Sequence, residues 1–239
     1  MSLFAPFLLV AALSSSDAIA VLLNSAAATS PTRFAEAQRI VLEDAKAGKP
    51  LQQFVVGTTT DDKALAKKFL DASRGKIRAL ATKTDNSLAW YLLSVEKNDM
   101  AFLRKAAAGG NVQALNALGL ISTQEAFGTN VTASARSEAL SRAYKYFLEA
   151  AKKEDVNAYV NLGTCYLEGY GCPKDECLAF LYYKSAADAG HPEGMENLAN
   201  CYRRGQGVDR DDELALVWDM RARAARGMSA AEKWLEERR

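Results

Sequence analysis

The chain has 239 residues, 49% of them hydrophobic and 25% charged, with 30 basic and 29 acidic side chains and a formal net charge of +1. These proportions suit a folded chain with its own core and exclude a low-complexity or disordered one. The even balance also argues against a dedicated nucleic-acid binder, which carries a basic stripe.

The first 30 residues contain no Lys or Arg, and Asp17 is their one charge. Leu3 to Leu13 is almost wholly apolar; Ser14, Ser15, Ser16 and Asp17 follow, then the apolar run Ala18 to Leu23. An apolar core before the small-x-small triplet Ala18-Ile19-Ala20 suits a secretory signal, but the positive n-region is missing. A helical hairpin capped at Ser16 or Asp17 is the favoured reading, and the cytoplasm is slightly favoured over export. The polar interruption leaves too short a run for a membrane span, which needs about 20 apolar residues. No membrane role is expected. Self-association through this apolar start stays open.

Ser30-Pro31 reads as an N-cap with proline at the first helical position. The helix then runs from about Thr32 to Ala47 and stops at Gly48 and Pro50. Leu51 to Gly57 reads equally as helix or extended chain. Asp62 to about Thr82 is helical after the capping cluster Thr58 to Asp61, with Gly75 as a candidate interruption.

From Asp85 the chain turns repetitive. Asp85–Glu96 and Met100–Ala108 read as a helix pair joined at Asn98-Asp99. Gln113–Gln124 and Arg136–Lys153 form a second pair around a long loop at Gly128 to Ser137. Two clear copies follow: Leu162/Leu198, Cys165/Cys201, Tyr166/Tyr202, Gly169/Gly205, Gly171/Gly207, Asp175/Asp211 and Ala179/Ala215 all lie 36 residues apart. A fixed period of this size marks a repeat architecture. Ala158, Leu162, Cys165 and Tyr166 fall on one face of a first helix. Gly169 and Gly171 end it, because glycine accepts positive φ. Asp175 and Asp211 can cap the second helices, whose expected apolar rows are Leu178, Tyr182, Ala186 and Leu214, Trp218, Ala222. Such units shield one another's apolar sides by stacking.

The run Ala-x-x-x-Leu-Gly-x-x-Tyr-x-x-Gly-x-Gly, then Asp, Ala-aromatic and Ala-Ala-x-x-Gly-His, resembles the Sel-one-like repeat (SLR). That family is similar to the tetratricopeptide (TPR) solenoids. The resemblance is strong over about 155–227 and partial over about 85–154. It implies an all-α fold, a right-handed α/α superhelical solenoid of TPR-like helix pairs. A helical N-terminal region over 1–83 would precede repeats over 84–227, divided near 110, 154 and 190, and a capping helix over 228–239 would close the stack. It also implies a non-enzymatic scaffold that binds a protein or peptide on its concave face. The alternative is an exported cell-envelope protein or penicillin-interacting enzyme like the cysteine-rich members.

On the first helices, the positions left by the apolar face form stripes. They are Gln113, Ala117, Leu120 and Gln124; Asn157, Asn161, Thr164 and Glu168; and Glu193, Asn197, Asn200 and Arg204. A row rich in Asn, Gln and Glu can hydrogen-bond a peptide backbone. A plain solvated face is the blander reading.

No cofactor or metal is expected. Cys165, Cys172, Cys177 and Cys201 lack the close pairs of a zinc site. Cys165 and Cys201 share one core position, where a small apolar side chain suffices, and a disulfide among the four is the lesser alternative. Disulfide-rich relatives place cysteines where this chain has Ala187 and Gly194, which weakens transfer of their β-lactam chemistry. Ser73-Arg74-Gly75-Lys76 matches Ser-x-x-Lys, but the companion Ser-Asp-Asn and Lys-Thr-Gly motifs are missing. His191, the one histidine, reads as a turn residue between repeats. No catalytic residue is assigned.

Overall fold

The computed structural model describes residues 31–238. The reading of 1–30 as hairpin or signal, and the Ser30 cap, lie outside the described residues. The fold is all-α, with 12 helices among the described residues. The first three are α1 (Pro31–Lys46), α2 (Pro50–Thr59) and α3 (Lys63–Thr84).

The ambiguous stretch after Pro50 is helical. Pro50 starts α2, and Gln52 to Val56 are all buried. Gln53 Nε2 donates to the Ala45 carbonyl at 3.1 Å, which ties α2 to α1. Asp62 starts α3 by accepting from the Ala64 and Leu65 N–H groups. Phe69, Ser73, Ile77 and Ala81 make its buried row, four residues apart. Gly75 does not interrupt this helix. A Cβ there would meet nothing within 4 Å. No neighbour requires the glycine, which weakens a helix interior by about 1 kcal/mol relative to Ala.

Four helix pairs follow: α4 (Ser87–Lys97) with α5 (Met100–Ala108), α6 (Val112–Ala126) with α7 (Ala133–Ala151), α8 (Val156–Glu168) with α9 (Glu176–Asp188), and α10 (Pro192–Arg204) with α11 (Asp212–Ala225). The last helix, α12 (Ser229–Glu236), packs on α11. Each helix touches the next, and α8 also touches α10, so the pairs stack. Every first helix from α4 to α10 starts on a capping side chain: Asn86, Asn111, Asp155 and His191. Asp175 and Asp211 cap α9 and α11 by accepting from Leu178 and Leu214 N–H.

Close approach explains the glycines of the pattern. A Cβ on Gly163 would lie 2.5 Å from Tyr183 Cε1, and one on Gly119 2.3 Å from Phe147 Cε1. The second glycine of each loop meets the preceding repeat. Gly171 and Gly207 have φ of +74° and +71°, and a Cβ on them would lie 2.4 Å from the Leu140 carbonyl oxygen and 2.1 Å from that of Glu176. Only glycine satisfies both the left-handed backbone and that contact.

Two expectations are corrected. The extra length of the second repeat does not sit in its loop. Thr132 caps α7 by accepting from Ala135 N–H at 3.2 Å, so the helix begins at Ala133 and reaches 19 residues against 13 in α9. The segment Ala133-Ser134-Ala135-Arg136 is helix, because a good cap precedes good helix formers. The second error concerns the buried row of the second helices. Of the expected rows, Ala186 and Ala222 are buried and Tyr182 and Trp218 half-buried, but Leu178 and Leu214 are 37% and 41% exposed, and Ala179, Tyr183 and Ala215 are buried in addition. The alanines let the helices close to the distance that brings Tyr183 onto Gly163.

Ala158, Leu162 and Cys165 are buried as expected, and Tyr166 stacks on Tyr182 with ring centroids 5.5 Å apart. One apolar cluster runs from Ala37 in α1 to Ala158 in α8. It crosses the change of sequence pattern near residue 84 without a break.

Candidate partner-binding groove

The first helices put their leftover faces side by side. α4 contributes Tyr91; α6 contributes Gln113, Asn116, Ala117 and Leu120; α8 contributes Asn157, Val160 and Asn161; the start of α10 contributes His191 and Glu193. Together they line a groove of about 370 Å³. Beside it, Val95, Met100, Leu103 and Ile121 line a smaller cleft of about 160 Å³ that shares Tyr91 and Ala117 with the groove. Val95 and Met100 are exposed in the cleft, and Leu120 is exposed in the groove. Ser94, Asn98 and Asp99 complete the cleft, whose lining is otherwise apolar, whereas six of the groove's ten lining residues are Asn, Gln, His or Glu side chains from α6, α8 and the start of α10.

The polar wall is built from helix caps. Asp155 accepts the Ala158 N–H at 2.9 Å as the cap of α8. Asn116 Nδ2 donates to the same Asp155 oxygen at 2.6 Å. One repeat on, His191 Nδ1 accepts the Gly194 N–H at 3.3 Å as the cap of α10. The proton of this neutral ring therefore sits on Nε2, which donates to Asn157 Oδ1 at 3.0 Å. In both cases an amide on one first helix holds the cap of the next. Asn116 is 9% exposed, and its Oδ1 has no hydrogen-bond partner. With Oδ1 of Asn157 taken, its Nδ2 is the group left for a ligand.

Burial lowers the pKa of His191, since a charged ring would lose solvation; Glu193 and Asp155 oppose this, and Arg226 adds to it. Glu193 is the one formal charge among the lining residues at neutral pH.

The sequence-derived stripe divides here. Gln113, Ala117, Leu120, Asn157, Asn161 and Glu193 line the groove, whereas Gln124, Thr164, Glu168, Asn197, Asn200 and Arg204 lie outside it. Thr164 Oγ1 is engaged with Tyr183 Oη at 3.0 Å, and Asn200 Oδ1 accepts from Arg203. Tyr91, Asn116, Val160 and His191 were not in the stripe. Asn116 had a legible signal: its position in the next copy, 44 residues on, is the apolar Val160. A polar residue at a core position implies a dedicated partner.

Other candidate chemistry is accounted for structurally. Ser73 is fully buried, and its Oγ donates to the Phe69 carbonyl at 2.7 Å, so it is not placed as a nucleophile. Cys165 and Cys201 are buried, and burial pushes their thiols up to about 12 and about 11. Cys172 Sγ donates to the Cys165 carbonyl at 3.4 Å. Among the described residues no group of three or more His, Cys, Asp or Glu is placed to hold a metal, and no helix is long and apolar enough to cross a membrane.

The stacked pairs and their groove define an all-α repeat scaffold. The Sel1 repeat family model matches residues 113–155, 156–191 and 192–218. Residues 113–218 of the chain are Sel1 (SLR) repeats, each a pair of helices. A solved Sel1 repeat protein from Oxalobacter formigenes is 25% identical, with a TM-score of 0.45 over 53% of this chain and 90% of its own. The c5321 protein, a protective antigen present in uropathogenic Escherichia coli strains and displaying an SLR fold, is 21% identical with a TM-score of 0.40. That match covers 82% of this chain and 52% of c5321. No curated protein matches.

Proposed function

We propose that this protein is a non-enzymatic scaffold whose repeat segment, 84–227, binds an extended peptide segment of a protein partner in the groove between α4 and α10. Sel1 repeats generally mediate protein interactions, and the groove has what an extended peptide needs. The observation that carries the reading is the alignment of Gln113, Asn116, Asn157 and Asn161 along one wall, with an apolar cleft at its end. Asn161 offers both a donor and an acceptor, as a peptide backbone requires, and Asn157 adds its Nδ2 donor. The cleft between Val95, Met100 and Leu103 suits one apolar side chain of the peptide. The same helices carry the wall and the caps, so the groove is pre-formed, which reduces the ordering cost of binding.

The test is a selection from a displayed random peptide library, followed by titration of a labelled selected peptide. Asn157→Ala with Asn161→Ala should weaken binding roughly tenfold or more, as loss of one or two hydrogen bonds implies. Asn197→Ala with Asn200→Ala, outside the groove, should change it little. Unchanged affinity in the first pair, in a protein with the wild-type circular dichroism spectrum, would overturn the groove as the binding site.

A further inference from the structure

Charge around the groove is one-sided. Glu193 stands exposed on its α10 rim, in the first turn of that helix. Asp155 is buried at the start of α8, where one of its oxygens accepts from Ala158 N–H and from Asn116 Nδ2. Both carboxylates act on the His191 ring. Arg226 acts on that ring and on Glu193, but its guanidinium holds both oxygens of Glu196. Three carboxylates therefore face one guanidinium, and among the described residues no ion pair forms on Asp155 or Glu193.

We propose that the groove selects peptides carrying a basic side chain, arginine above lysine, which seats against Glu193 while an apolar side chain of the same peptide fills the cleft at α4. This selectivity rests on the scaffold reading of the groove and names the chemistry of its partner.

The polar groups along the wall point the same way. Asn157 Oδ1 is taken by His191, but the Asn161 amide has no partner among the described residues and keeps its carbonyl oxygen for a ligand. Asn116 lines the groove at 9% exposed with its Oδ1 unpaired, and that carbonyl dipole deepens the negative field. The starts of α8 and α10 offset part of it, since a helix N-terminus carries about half a unit charge. The neutral His191 ring adds no cation. A guanidinium suits what remains. Its fork matches the Glu193 carboxylate and leaves further N–H groups for amide oxygens, whereas an ammonium is a compact point charge. An acidic side chain in the same place would be repelled by Glu193 and Asp155.

The test uses the full chain. Peptides selected from a displayed random library are sorted by whether Asn157→Ala with Asn161→Ala weakens them, which marks the groove binders. Among these, one position should be enriched in Arg and Lys. Replacing that residue by Gln in a labelled peptide, or Glu193 by Gln in the protein, should lower affinity roughly fivefold to tenfold by fluorescence anisotropy. The two changes together should cost little more than either alone, because they remove the same contact. Glu168→Gln, outside the groove, should leave affinity unchanged. Added salt should weaken the wild type more than Glu193→Gln.

A repeat selection on Glu193→Arg should place Asp or Glu at the enriched position. Groove binders without an enriched basic residue, or indifferent to Glu193→Gln, would overturn the selectivity and leave the scaffold reading in place. A double change costing the sum of the two single ones would do the same, since it would seat the basic residue elsewhere. If no selected peptide depends on Asn157 and Asn161, the groove is not the binding site and both readings fall.

Discussion

At the scale of single residues, His191 shows how one side chain serves two neighbours. Nδ1 caps α10 and Nε2–H holds Asn157 on α8. The Nδ1 cap requires the neutral ring, the Nε2–H bond does not, and burial lowers the pKa of the ring. The unfolded chain therefore binds a proton in the window that opens below pH ~6.5 and extends down to the folded-state value, where the folded chain refuses it. His191 leaves stability unchanged above that window and erodes it as pH falls through it. Urea unfolding at a series of pH values should show this decline in wild type. His191→Asn, which keeps a good cap without a titrating ring, should show a shallower one. Parallel curves for the two proteins would refute the assignment. The sequence placed His191 correctly in a turn between repeats. Its bond to Asn157, 34 residues away, depends on how far one repeat rotates against the next, and no local pattern reports that.

At the scale of helices, a glycine facing an aromatic ring sets the spacing of a pair. Gly119 meets Phe147 and Gly163 meets Tyr183. In the next copy the corresponding residues are Ala199 and Asp219. Where the ring is gone, the glycine has become alanine, as the packing argument requires. Gly163→Ala should destabilise by roughly 1–3 kcal/mol in chemical denaturation, because a methyl group must displace the Tyr183 ring from a filled core. The penalty should shrink in a Tyr183→Leu background, where the two changes couple; an undiminished penalty would locate its cause elsewhere. The repeat spacing made these glycines visible. It did not show which row of the second helix turns inward, because Leu178 and Ala179 are adjacent and both apolar. Periodicity rewards either row. The structure buries the smaller residue since only alanine allows the helices so close.

At the scale of the whole molecule, stability is shared between neighbours. The last pair has its outer side covered by α12, where Ala231 is buried and Trp234 and Leu235 are half-buried. Ending the chain at Met228 should remove about 3 kcal/mol of apolar burial. The melting temperature should then fall by roughly 10 °C, with the greatest loss of amide protection in α10 and α11. Uniform loss across the chain would mean that the stack unfolds as one unit.

Sequence by itself determined the helix pairs, the caps Asp175 and Asp211, the glycines of each loop and the kind of repeat. All of these follow from contacts within one repeat or between adjacent ones, and a period of 36 residues writes them twice. Only the tertiary structure decided which stripe residues meet in the groove and that Asn116 holds the cap of α8. Those facts depend on the angle between successive pairs. That angle is set by the summed packing of many small and aromatic side chains, and no short stretch of chain encodes it.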